Sequence, residues 1–371
     1  MKKEHVNTIG GVLFFAQQIH TPWIEGVKNN AINICKLLSK RVYIDIISHT
    51  WPVNTLDKDI IEGVEVHYLL GLSDKKLQQS FYLIWGACRC LFFVFKKKPQ
   101  KIFIQYLDTT YLFPLILIKL LKPRIPVILT LYSIDEVSVF YKKIFLRIFP
   151  FEKIIIISEY LREPVTKFGY NRENIVHIPL SYEKERYLKK QKNIERKKRT
   201  ILFSAGPIKE AGSFFMVDLA KIMPEYHFIF AMRKFNKKSE TEVSTLKWYI
   251  QKREVKNIEI QRNIKSMEVL LSEVEILILP LQNISIKMLV PVAILEAMAR
   301  WVLCYISDLP NLKKTFDDNE NVIIFEKGEV QKLKSKIIRE TDSERIRQGA
   351  QKFAQQYPSF EDISEEYYKL I

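Results

Sequence analysis

At 371 residues, 47% of them hydrophobic, the chain is too long for one simple core and has apolar material for two domains. Its formal net charge of +16 calls for anionic partners: nucleotide phosphates, lipid head groups or nucleic acid. The four cysteines, Cys35, Cys88, Cys90 and Cys304, are too few and too scattered for a disulfide framework, and the Cys88-x-Cys90 pair has no nearby His or Cys to complete a metal site.

Glu4, His5, Asn7 and Thr8 interrupt the basic start, and the short run 11–16 ends in Gln17 and Gln18, which argues against a secretory leader. That run is predicted as the first strand. A helix follows over 24–39, with apolar spacing at Val27, Ile32, Leu37 and Leu38, then strands over 42–48 and 64–70. The longest apolar run, 81–95, is shorter than the roughly 20 residues that cross a bilayer and carries Arg89 in its middle. A buried or interfacial helix is predicted there, in a cytoplasmic protein. Strands are predicted over 101–106, 126–131 and 153–157.

Residues 140–149, FYKKIFLRIF, plot as an amphipathic helix. Phe140, Ile144, Phe145, Ile148 and Phe149 share one face, and Lys142, Lys143 and Arg147 the other. Such a helix either packs on a sheet with its basic face in water or lies in an anionic membrane interface. Residues 183–199, EKERYLKKQKNIERKKR, are nearly devoid of apolar side chains and read as a solvated, protease-sensitive linker between two sheets. Alternation then resumes: strand 200–204, a helix from Ser213, strand 227–231, a helix near 242–252, strand 257–261, a helix from Ser266 and strand 274–279. After a loop and a helix comes a strand near 322–325, with helices over 343–356 and 358–371. This alternation signals parallel sheets of Rossmann type.

The stretch 276–304 is the most informative. Its strand stops at Pro280, a polar loop follows, and Pro291 opens a helix carrying Glu296 within Ile-Leu-Glu-Ala-Met-Ala. A Glu without a neighbouring charge is costly to bury unless something polar meets it. The helix N-terminus, at the carboxyl edge of a sheet, offers N–H groups and a dipole to an anion. A phosphate at the loop and a hydroxylated group at Glu296 describe a nucleotide-sugar pocket. The alternative is a partly exposed Glu on an ordinary crossover helix.

Two Rossmann-like domains around a basic linker, with the pocket in the second, resemble the GT-B fold, and the motifs resemble glycosyltransferase family 4, over nearly the whole chain and in order. Thr21-Pro22-Trp23-Ile24-Glu25-Gly26 resembles the family's proline and glycine pair at the head of the first helix; Glu25 replaces the first glycine and Gly26 remains. Ser158-Glu159, Phe168-Gly169-Tyr170 and Ile175-Val176-His177-Ile178-Pro179 resemble the stretch that leaves the first domain, with Ser181 where glycine is usual. Tyr132 stands where the family often has a histidine near the reacting sugar. Residues 203–212, FSAGPIKEAG, resemble the diphosphate loop: Gly206 and Gly212 are kept, Pro207 and Ala211 replace an Arg and a Lys, and Lys209 is the loop's only cation. Arg262-Asn263-Ile264 falls where the family's backbone meets the nucleobase. Glu296 matches the second glutamate of the family's E-x7-E pair, which holds the ribose hydroxyls. The first falls at Met288, beside Lys287, and Trp301 and Leu303 replace the glycine and proline after the helix. Residues 355–360, QQYPSF, resemble the crossover that returns the last helix to the first domain.

The resemblance implies an α/β chain of GT-B architecture, with two parallel sheets facing a central cleft. The first domain is expected over 1–182, the linker over 183–199, the second domain over 200–357 and the returning helix over 358–371. A retaining glycosyltransferase is implied, moving a sugar from a nucleotide-sugar donor to a hydroxyl of a glycan or lipid-linked acceptor. Tyr132, Lys209 and Lys287 are the catalytic candidates. Gly26, Gly206, Lys209, Gly212, Arg262, Asn263, Ile264, Met288, Leu289, Val290 and Glu296 are the donor-binding candidates. No metal and no cofactor beyond the donor substrate are expected, because no acidic metal motif is apparent. Lipid-linked acceptors place the protein on the inner face of the plasma membrane, against anionic lipid, and no nucleic-acid module is present. A degenerate sugar-nucleotide-binding scaffold and a GT-B-like epimerase are the competing readings; Met288, Pro207 and Ala211 favour the scaffold.

Overall fold

The computed structural model describes residues 11–16, 19, 26–49, 58–69, 76–107, 109–133, 135–189, 196–232, 237–262, 264–284 and 289–371. The chain divides into two units, one of Met1–Leu180 with Phe360–Ile371, the other of Ser181–Ser359.

In the first unit, β1 (Val12–Ala16), α1 (Gly26–Leu38), β2 (Ile44–His49), β3 (Lys58–Ile61) and β4 (Val64–Leu69) are followed by α2 (Lys76–Lys97), β5 (Lys101–Gln105) and α3 (Thr109–Leu121). Then come β6 (Val127–Leu131), α4 (Asp135–Ser138), α5 (Phe140–Ile148), β7 (Lys153–Ile156), α6 (Arg162–Thr166) and β8 (Ile175–His177). The sheet order is β3-β4-β2-β1-β5-β6-β7-β8. Every pairing is parallel except β3 with β4. Strand β1, VLFFA, is buried along its whole length, as a strand covered on both faces must be. Strand β3 was not predicted: it is a four-residue edge strand joined to β4 through the tight turn Glu62-Gly63, both with positive φ. Helix α3 was also missed, because TTYLFPLILIKLL is apolar nearly all round and Pro114 reads as a breaker.

A C-terminal helix, Phe360–Tyr368, completes this unit by packing against α1. Arg41 donates to Glu365 at 2.9 Å, Lys101 Nζ donates to the Leu370 carbonyl at 2.5 Å, and Ile363 and Tyr367 join the core.

The second unit contains α7 (Lys184–Leu188), β9 (Thr200–Phe203), α8 (Ser213–Ile222), β10 (His227–Met232), α9 (Lys237–Lys252), β11 (Ile258–Arg262) and α10 (Met267–Glu273). It continues with β12 (Ile276–Leu279), α11 (Val292–Ala299), β13 (Leu303–Ser307), α12 (Pro310–Lys313), β14 (Ile323–Phe325), α13 (Val330–Arg339) and α14 (Ser343–Gln356). All its strands are parallel, in the order β11-β10-β9-β12-β13-β14. Strand β13 escaped prediction because the apolar pattern of α11 runs into it without a break. Only Arg300, Trp301 and Val302 separate them, and Trp301 takes the left-handed conformation (φ 63°) that ends helices and suits glycine.

The stretch 183–199 differs from the solvated linker expected. Lys184–Leu188 forms α7, and Tyr187 is buried in the second unit's core. Residues 190–195 lie outside the described residues, but Arg196 donates to the carbonyls of Arg300 and Trp301, which close α11. Arg300 in turn donates to the carbonyls of Arg186 and Lys189, both at 2.6 Å, which close α7. Cations suit these C-termini electrostatically. Replacing Arg196 by Met should therefore lower stability by about 1–2 kcal/mol, read as a lower urea midpoint of the full chain. An unchanged midpoint would show that the segment contributes nothing to the fold.

Candidate functional site

The second sheet changes direction between β9 and β12: β9 leads outward to β10 and β11, whereas β12 starts again on its other side and leads to β13 and β14. The crevice outside the carboxyl ends of two such strands is where parallel α/β sheets bind ligands. Two loops meet there, 204–212 after β9 and 280–291 after β12.

The first loop leaves β9 through Ser204, Ala205 and Gly206, makes a 3-10 turn over Lys209–Ala211 and enters α8 at Gly212. Gly212 has φ 88°, and a Cβ on it would stand 2.2 Å from the Pro280 carbonyl oxygen. The Gln282 backbone N–H donates to the Glu210 carbonyl at 2.9 Å, so a hydrogen bond also joins the two loops beside that approach. Neither α8 nor α11 has a side-chain cap at its N-terminus or a carboxylate in its first turn. Two helix dipoles thus present their positive ends at one crevice, neither with a carboxylate in its own first turn, although Glu210 is on the 3-10 turn before α8. Lys209 is exposed on the 3-10 turn.

The second loop is held at one end from the next strand, β13, and at the other from α12. Ser307 Oγ donates to the Leu281 carbonyl at 2.7 Å, and Asn311 Nδ2 donates to the Leu289 carbonyl at 2.6 Å. Leu289 and Val290 are buried, so they offer a ligand backbone rather than side chains. Lys287 and Met288 lie outside the described residues.

Glu296 sits half-buried on α11, and the Tyr187 hydroxyl of α7 is one of its polar neighbours within the protein. Burial first, then the Glu296 charge, pushes the Tyr187 phenol well above its ordinary range. Tyr182 is raised by the same two causes and donates to the Ala354 carbonyl at 2.9 Å. This pairing escaped sequence reasoning because the one aromatic in a lysine-rich run was read as part of a solvated segment.

The remaining candidates sit elsewhere. Arg262 ends the edge strand β11, and its guanidinium is held by both carboxylate oxygens of Glu240 at 2.6 and 2.7 Å, which raises its ionisation further. Ile264 is half-buried beside a depression lined by Arg262, Lys265, Ser266 and Glu273; Asn263 lies outside the described residues. A second depression, beside β13 and β14, is lined by Asp308, Asp317, Asp318 and Glu326 with Lys313, and that acidic lining repels a diphosphate.

Two candidates belong to the first unit. Gly26 opens α1. Tyr132 is buried just past β6, where its hydroxyl donates to Gln105 and accepts from Asn30 at 3.5 Å. Gln105 and Thr130 also meet the Tyr367 hydroxyl, at 3.3 and 3.0 Å, so Tyr132 is tied into the network that seats the C-terminal helix. Among the described residues, Asp45, Glu65 and His67 form the one group able to ligate a metal. They lie near the amino ends of β2 and β4, and the Lys97 ammonium already stands 3.2 Å from Asp45 and 3.7 Å from Glu65.

No protein-family model matches the chain, and no curated protein matches its sequence. Solved structures do match. The chain is similar to sucrose-phosphate synthase from Thermosynechococcus elongatus, with a TM-score of 0.79 and 12% identity over 97% of this chain and 98% of that one. It is similar to Anabaena Alr3699/HepE in complex with UDP, with a TM-score of 0.73 and 14% identity over 97% and 99%. A glycosyltransferase from Rickettsia africae gives 0.70 and 15% over 97% of each chain. The chain has the GT-B fold. Within that GT-B fold, the crevice between β9 and β12 brings together Gly206, Lys209, Gly212 and the start of α11. It leaves Arg262 and Ile264 at the sheet's edge.

Proposed function

We propose that this chain is a divergent retaining glycosyltransferase of family 4, transferring a sugar from a nucleotide-sugar to a hydroxyl of a glycan or lipid-linked acceptor, in the cytoplasm and against an anionic membrane. The observation that carries this reading is the pair of uncapped, carboxylate-free helix N-termini at the crevice between β9 and β12, with Glu296 farther along α11. The donor diphosphate takes the helix ends and Lys209, the ribose hydroxyls donate to Glu296, and the base lies along the backbone at 262–264. When the bond from the anomeric carbon to the diphosphate breaks, negative charge gathers on the leaving oxygen. Preorganised N–H dipoles with Lys209 and Lys287 stabilise it, and the acceptor hydroxyl attacks from the face the diphosphate leaves, passing its proton to the departing phosphate oxygen. The charges assigned here make no demand on a metal ion. HepE, solved with UDP and with UDP-glucose, shares the fold, which supports a uridine nucleotide as the first donor to try.

A thermal-shift panel of nucleotide sugars, followed by a transfer assay with the sugar that binds, tests the reading, since a ligand raises the melting temperature according to its affinity. Binding without transfer to any acceptor would favour the degenerate scaffold suggested by Met288, Pro207 and Ala211. Conversion of free donor without an acceptor would favour an epimerase. Lys209→Ala should weaken nucleoside diphosphate binding by roughly tenfold, a charged hydrogen bond's worth, and leave nucleoside binding unchanged. Calorimetric titration with both ligands reads the difference, and equal losses would remove Lys209 from the diphosphate.

A further inference from the structure

Among the described residues, twelve of the seventeen exposed large apolar side chains lie on just three helices, α2, α3 and α5. On α2 they are Ile84, Trp85, Phe92 and Phe95, one stripe at helical spacing. On α3 they are Phe113, Ile116, Leu120 and Leu121, with Leu120 72% exposed. On α5 they are Phe140, Tyr141, Ile144 and Ile148, with Phe140 76% and Ile148 68% exposed. Helix α5 therefore does not divide as its sequence suggested. Phe145 and Phe149 turn into the core and Lys142 is buried over the Tyr106 ring, so apolar and basic side chains share the outer face.

The three helices share one side of the first sheet. Each carries the chain in the same direction across it, β4 to β5, β5 to β6 and β6 to β7, whereas α1 runs back from β1 to β2. Right-handed crossovers place helices of opposite direction on opposite faces. Helix α1 and the C-terminal helix cover the other face, and α2 packs directly against α3.

Charge decides what this face meets. None of the three helices contains an Asp or a Glu. Lys96, Lys98, Lys122, Arg124, Lys143 and Arg147 are all exposed among or beside the apolar side chains, and the Lys96 and Lys122 ammonium groups lie over the Phe92 and Phe95 rings at 5.5 and 4.8 Å. Protein interfaces deplete lysine from an apolar centre. An apolar surface interleaved with cations, on three helices that carry no carboxylate, fits the boundary between head groups and acyl chains of an anionic bilayer. Among the described residues no helix is long and apolar enough to cross a membrane.

We propose that the outer face of α2, α3 and α5 is a membrane-docking surface that lies in an anionic lipid interface, with α2 and α3 contributing the larger apolar part. This deepens the membrane part of the proposed function and uses none of the residues assigned to the donor, so its failure would leave the nucleotide-sugar reading standing. The full chain is to be sedimented with vesicles of phosphatidylcholine alone and of equimolar phosphatidylcholine and phosphatidylglycerol, at about 0.1 M salt, where exposed charges still act over about 10 Å. Binding to the anionic vesicles should exceed binding to the neutral ones by roughly tenfold or more. A charge variant (Lys96→Glu, Lys122→Glu, Arg147→Glu) and an apolar variant (Phe92→Ser, Leu120→Ser, Ile148→Ser) should each lose roughly tenfold, with the residual binding of the apolar variant released by salt. All six positions are exposed, so circular dichroism melts should match the parent. Equal binding to both vesicles, or variants that bind like the parent, would overturn the proposal. So would self-association of the parent that the apolar variant abolishes, because the face would then belong to a second copy.

Discussion

Gly212→Ala should unfold the second unit more readily by about 2–5 kcal/mol, the sum of a left-handed backbone forced on a residue with a Cβ and an overpacked contact. The clash falls on the Pro280 carbonyl oxygen, 2.2 Å from the new atom, and on the proline ring, 2.5 Å away. Neither is the far end of a flexible side chain, so relief requires moving the end of β12 away from the start of α8. Donor binding should fail together with stability, since those two points frame the crevice. Gly206→Ala provides the contrast. Its nearest neighbours would be 3.8 and 4.0 Å away, so stability should hold, while a donor phosphate lying against that backbone would be displaced. Urea denaturation followed by tryptophan fluorescence separates the two variants. A Gly212→Ala chain as stable as the parent would mean that the two loops do not meet as described.

Glu296→Gln should weaken donor binding by roughly tenfold to a hundredfold, as loss of a charged acceptor of about 1.5–3 kcal/mol requires. The amide keeps the shape of the side chain and can still accept from Tyr187, so the fold should survive. Tyr187→Phe removes one neighbouring hydroxyl and leaves the carboxylate. If Glu296 serves the ribose, that variant should keep most of the affinity and lose about 1 kcal/mol of stability. Calorimetric titration of all three proteins with one donor decides the matter. An unchanged affinity for Glu296→Gln in a folded protein would make the residue a helix-packing glutamate satisfied by Tyr187.

The alternation of strand and helix was legible because parallel strands buried on both faces read as short apolar runs between amphipathic segments; β1, β5, β6 and β12 are all of this kind. Helix α13 went unnoticed despite its amphipathic pattern, and three other elements failed to show because they lack contrast. Strand β13 merges with the apolar end of α11, α3 has no polar face to mark its period, and β3 is too short and too charged to stand out. At the crevice, Gly206, Gly212 and Glu296 could be singled out by residue type and spacing. The restraints that fix them could not, because each joins segments far apart in sequence: Tyr187 to Glu296, Gly212 to Pro280, Asn311 to Leu289. The basic run misled for a related reason. A lysine-rich segment looks solvated until the helix carbonyls that receive its arginines are known.

The closing of the first unit by Phe360–Ile371 has a consequence for synthesis. A ribosome translates all of Ser181–Ser359 before it reaches the helix that supplies Ile363 and Tyr367 to the earlier core. During that interval Gln105 and Thr130 lack the hydroxyl they will share, and the α1 side of the first sheet stays open. The portion made second is the one able to finish first. The portion made first is exposed to chaperones and proteases until that helix reaches it, and a premature stop near residue 360 would harm the half of the protein that had been made longest.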